Sequence, residues 1–133
     1  MSLVVPDEGE RRLLEYIVNK ASPTNLVLHL YTNSVTLSGE TFSTGSFVQA
    51  SASGYSPVTL VGSNWTASTT AGVSAAVYSA GITFSFSVGQ DIQGYYVTNT
   101  SNNILWAEEF PGAPFSLPVA GGDIVVRPQV QLN

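Results

Sequence analysis

The chain contains no cysteine, one histidine (His29), and only four lysines and arginines among 133 residues. Without cysteine, neither a disulfide framework nor a thiolate metal site can form. With one histidine, a zinc site would lean on carboxylates, and no ligand spacing suggests one. Scarce cations and a formal net charge of −5 argue against a phosphate-binding surface, because nucleic-acid affinity depends on clustered Lys and Arg. Neither a signal peptide nor a membrane span is expected, since the N-terminus lacks a basic n-region and no window approaches ~18 apolar residues. Asn64-Trp65-Thr66 and Asn99-Thr100-Ser101 match the glycosylation pattern and are read as chance in a Ser/Thr-rich chain.

The charges that are present are unevenly placed. Seven of the thirteen lie in the first twenty residues, and the remaining 113 residues carry only Glu40, Asp91, Glu108, Glu109, Asp123 and Arg127. A 44% hydrophobic share with 10% charge is unusual for a free monomer, whose surface is normally about a quarter to a third charged. Polarity comes instead from Ser, Thr and Asn, which another protein can cover at little cost. The composition suits an assembly component; the alternative is a neutral sandwich domain.

Two regions follow, an arm with a helix over 1–22 and a β-domain over 23–133. Asp7 and Glu10 have capping-box spacing, and Leu13, Leu14, Ile17, Val18 and Ala21 recur on one helical stripe. The pattern predicts an amphipathic helix from about Glu8 to Lys20. So short a helix is marginal alone, so its stripe must be buried against something. Either it packs on its own β-domain, or the segment from Ser2 to Val5 and the helix grip a neighbouring subunit, with Val4, Val5, Leu13, Leu14, Ile17 and Val18 as contacts.

From Asn25 the period changes to two. Leu26, Leu28 and Leu30 alternate with Val27, His29 and Tyr31, and Ile82, Phe84, Phe86 and Val88 alternate with Thr83, Ser85 and Ser87. Further strands are predicted near Phe42–Ser51, Pro57–Gly62, Ser74–Ser79, Gly94–Thr98, Ile104–Phe110 and Asp123–Leu132. About eight short strands after a single helix predict a mainly β fold, an antiparallel two-sheet sandwich. Pro128 marks an edge strand or the end of its pairing.

Chemistry is sparse. His29 lies mid-strand with no nucleophile elbow in the chain, which favours a structural histidine over a catalytic base. Glu108 and Glu109 are adjacent on a strand and point to opposite faces, so they do not flank one glycosidic bond. One is expected in solvent and the other at a contact, with Arg127 as a candidate partner. No calcium-loop spacing appears around Asp91 or Asp123. No catalytic residue, metal ligand or cofactor is assigned, and the chain is read as non-enzymatic. Trp65, Tyr95 and Trp106 are candidates for an aromatic interface or, alternatively, a sugar-stacking platform; core or interface is favoured.

Phe84-Ser85-Phe86, Ile92 to Asn99 (IQGYYVTN), Ile104 to Glu108 (ILWAE) and Val119 to Val126 (VAGGDIVV) resemble the closing strands of small tailed-bacteriophage virion proteins with a jelly-roll-type β-sandwich. Asn25 to Asn33 (NLVLHLYTN) resembles their first strand. The resemblance implies a capsid decoration (cement) protein that binds the major capsid protein or another virion protein, or a tail-fibre-like or receptor- or glycan-binding module. It further implies location in the virion after assembly in the host cytoplasm, and a homo-oligomer, with a trimer fitting common decoration geometry. No nucleic-acid or membrane partner is expected.

Overall fold

The computed structural model describes residues 3–132. One helix, α1 (Asp7–Ile17), precedes β1 (Leu26–Tyr31), β2 (Val58–Leu60), β3 (Trp65–Thr70), β4 (Val73–Tyr78), β5 (Ile82–Phe86), β6 (Asp91–Ile92), β7 (Gly94–Asn99), β8 (Ile104–Glu109), β9 (Phe115–Ser116), β10 (Gly122–Val126) and β11 (Gln129–Leu132). The fold is mainly β, as expected, with several antiparallel sheets and eleven strands rather than about eight. The sheets run β2-β1-β7-β8, β11-β4-β3, β10-β5 and β6-β9.

The count rises because strands divide or were hidden. The expected strand over 123–132 splits at Arg127-Pro128, whose residues end pairing with β5 and begin a new pairing with β4. Proline withholds a ladder donor, and a change of sheet needs such a gap. β3 is built from Ser, Thr and Ala, with little apolar alternation to reveal it. The strand expected over 42–51 does not form. There Asn33 Nδ2 donates to the Ser46 carbonyl (2.9 Å), the Val48 amide donates to Asn33 Oδ1 (2.7 Å), and the Ser43 amide donates to Ser46 Oγ (3.0 Å). Side-chain bonds of this kind compete with a ladder.

β7 is buried along its whole length because both its faces are covered. Tyr95 and Val97 join Leu28, Leu30, Leu60, Phe84, Phe86, Ile124 and Val126 in the larger core. Tyr96 turns the other way, to Tyr31, Leu37, Phe42, Phe47 and Ile104. Its ring stacks on both His29 (centroids 4.6 Å) and Phe47 (4.5 Å). The long loop after β1 is therefore a lid of aromatic plugs over one face of the sheet.

Pairing of β7 with β8 shifts by one residue: Val97 lies opposite Trp106 and Thr98 opposite Ile104. The extra residue is Leu105, a bulge that breaks the alternation. Leu105 and Trp106 consequently both enter the larger core, while Ile104 and Ala107 enter the smaller one.

Helix α1 lies over β8. The expected capping box is not formed: Pro6 is the N-cap, without a side-chain cap bond, and the Asp7 amide is satisfied by the Glu40 carbonyl (2.9 Å). The helix ends at Ile17, short of Lys20, because Asn19 takes a left-handed φ of 58° and turns the Lys20 and Ala21 amides back to the Glu15 carbonyl. Gly9 is the point of closest approach, where a Cβ would run into the Leu105 carbonyl oxygen.

Replacing Gly9 by alanine is expected to lower stability by about 1–3 kcal/mol in chemical denaturation, through overpacking. Helix propensity alone would raise it by about 1 kcal/mol. A measured gain would mean that α1 is not held against β8.

Candidate functional site

The helix is fixed by small and polar groups, and this leaves its apolar stripe unused. Besides Gly9, Tyr16 Oη accepts from Asn99 Nδ2 (3.2 Å), and Glu8 Oε1 accepts from Asn103 Nδ2 (3.2 Å). Asn99 Oδ1 in turn accepts the amides of Ser101 and Asn103 (both 3.0 Å), so the loop that holds the helix is itself cross-braced. At about 100° per residue, Gly9 and Tyr16 share the docked side, Leu13 borders it at about 40° from Gly9, and Leu14, Ile17 and the C-cap Val18 lie about 140°, 80° and 180° round from Gly9. These three are 62%, 78% and 69% exposed. Arg11 and Arg12 both bond Glu15 (3.2 and 2.7 Å), which neutralises part of the helix surface beside the ridge.

Beside the helix an apolar groove of about 230 Å³ runs between Val5, Leu13, Leu26, Trp65, Trp106 and Val130. A second hollow of about 220 Å³ shares Leu13, Leu26, Trp65 and Trp106 with it and extends to Tyr16 and Pro23. The groove meets the helix at Leu13, one turn before Ile17 of the ridge. Single exposed apolar residues are ordinary, whereas a contiguous patch marks a contact surface.

The residues singled out from the sequence are thus divided. Leu14, Ile17 and Val18 form the ridge, and Leu13 and Val5 border the groove. Val4 is spent on its own chain, exchanging backbone bonds with Ala107 (2.8 and 2.9 Å) as an isolated bridge beside β8. Ser2 lies outside the described residues. Tyr95 and Trp106 are core residues, each 4% exposed, so neither presents a free ring face for a sugar; Trp65 is half-buried, its ring edge-on to Tyr78 and Trp106.

His29 Nε2 shares a hydrogen bond with Thr98 Oγ1 (3.0 Å), and burial lowers its pKa to about 4. It is a neutral ring stacked on Tyr96. Tyr95 Oη donates to Glu108 Oε2 (2.8 Å), and burial, then the Glu108 carboxylate, pushes its pKa up. Burial followed by Glu109 and Glu108 does the same to Tyr31. Glu108 therefore holds a tyrosine and makes no ion pair with Arg127 among the described residues. Sequence reading missed the Asn99–Asn103 brace and Gly9.

Comparison with family models, with curated proteins and with solved structures finds no match.

His29 gives the stability a definite pH dependence. Its folded pKa is depressed to about 4 from an unfolded 6.5, so the unfolded chain takes up the proton first. The contribution is fully present above about pH 6.5 and is lost as pH falls towards 4. Urea denaturation at pH 7 and pH 4.5 is expected to show a larger stability loss for the native sequence than for His29→Gln. Equal losses would contradict a buried, neutral His29.

Proposed function

We propose that this protein is a non-enzymatic structural component that docks on a larger protein assembly through the outward ridge of α1 and the groove beside it. The observation that carries the reading is that a capped-off, well-anchored helix presents Leu14, Ile17 and Val18 to solvent while glycine and polar groups do its internal packing. Burying such side chains against a partner stabilises association by about 1.5–3 kcal/mol each, less the cost of ordering. The sequence resemblance suggests the assembly: a tailed-phage capsid, with the chain as a decoration protein, a jelly-roll-type sandwich covering the joints between shell subunits. The resemblance also allows a tail-fibre-like role, and the burial of Tyr95 and Trp106 disfavours a glycan platform built on them.

Ile17→Asp combined with Val18→Asp is expected to weaken binding to assembled shells at least about 100-fold, from two lost side-chain burials. Circular dichroism should stay native, because neither residue touches the core. Raising salt should change binding little, since exposed charges contribute little to the contact. Native affinity in the folded double variant, measured by co-sedimentation with shells, would remove the ridge from the interface.

A further inference from the structure

The hairpin of β3 and β4 leaves a sheet edge beyond the ridge, meeting the groove at Trp65. Its loop is two residues, Ala71 and Gly72, both at positive φ (52° and 81°), the backbone of a primed turn that matches strand twist. A two-residue loop makes Thr70 and Val73 the closing hydrogen-bonded pair. By alternation, Ser68 and Thr66 also direct their amides to β4, and Trp65, Ala67 and Thr69 direct theirs outward. Among the described residues β3 has β4 as its one neighbour, and residues 66–70 are exposed.

Edge strands normally carry a device against pairing, such as a charge, a proline, a bulge, short length or a covering segment. The other edges here have one. β2 is three residues long and follows Pro57; β8 is closed by Val4; β5 is flanked by Ser53, whose carbonyl takes the Ser87 amide (2.8 Å). β10 contains Asp123 and runs into Arg127-Pro128, after which β11 has four residues. β3 has six residues with none of these devices.

The charge pattern suits a second copy as the occupant. Residues 41–90 contain no Asp, Glu, Lys or Arg, although the chain carries −5 overall. A strand meeting its own copy antiparallel sets like side chains across a two-fold axis, where charges would repel. Across β3 only a half-buried Trp, Thr, Ser and Ala meet, so self-pairing is unopposed. The geometry points to a homodimer in which β3 pairs antiparallel with β3 of a second copy, centred on Ala67, joining two three-stranded sheets into one of six strands. The Ala67 amide of each copy donates to the Ala67 carbonyl of the other, and Trp65 pairs with Thr69 on either side. Such an isologous contact closes at two subunits.

Sedimentation of the full chain from micromolar to millimolar concentration is expected to show a monomer–dimer equilibrium. Ala67→Pro removes an amide that β4 does not use, a site where an edge strand tolerates proline; it should be monomeric with native circular dichroism. Ala67→Lys and Ala67→Glu should each dimerise up to about fivefold more weakly, and mixing them should restore association, because opposite charges then face each other. A native chain that stays monomeric or forms trimers overturns the proposal, as does a folded Ala67→Pro that dimerises normally. Should Ala67→Pro fail to fold, the mixing experiment decides: recovery supports the β3 contact, and no recovery overturns it.

Discussion

Strand β7 is the constraint on which the rest of the molecule depends. A strand buried on both faces must be covered twice, and 133 residues supply only one set of regular strands to do it. β5, β10 and β4 cover the Tyr95 and Val97 face; the loop carrying Leu37, Phe42 and Phe47 covers the Tyr96 face. The polar members of the second face, His29 and Thr98, are joined there through His29 Nε2, while Nδ1 is buried without a partner, and burial of His29 is tolerable because the ring stays uncharged.

The same geometry explains how the helix is held. With one edge of the central sheet occupied by β8 and Val4, α1 can only lie across it, and Gly9 permits the approach. Anchoring by Gly9, Tyr16 and Glu8 consumes one side of the helix and leaves the apolar one outside. A helix whose stripe faced its own core would have no surplus surface; this one has a ridge and an adjoining groove. The β3 edge is a surplus of another kind, in unpaired backbone groups rather than apolar side chains.

What the sequence revealed follows from where pattern and environment agree. Strands with apolar alternation (β1, β5) were legible in position, and so was the helix, whose 3.6-residue period is strong. β3 was not, since Trp-Thr-Ala-Ser-Thr-Thr has no alternation when its strand is exposed on both faces. The segment 42–51 is not a strand because, although Phe42 and Phe47 mimic strand residues, Asn33 and Ser46 divert the backbone. For the site, the stripe was visible, but its direction was not: that was decided by Gly9 and the Asn99–Asn103 brace, contacts between segments some ninety residues apart.

The central claim is that the outward side of α1 is the docking surface. Hydrogen–deuterium exchange of the free and the assembled protein tests it most directly, because opening of an exposed helix end is suppressed when a partner covers it. The account requires amides of residues 13–18 to exchange more slowly on assembly while β7, already protected, stays unchanged. Unaltered exchange across the helix, with slowing confined to another surface, would contradict it.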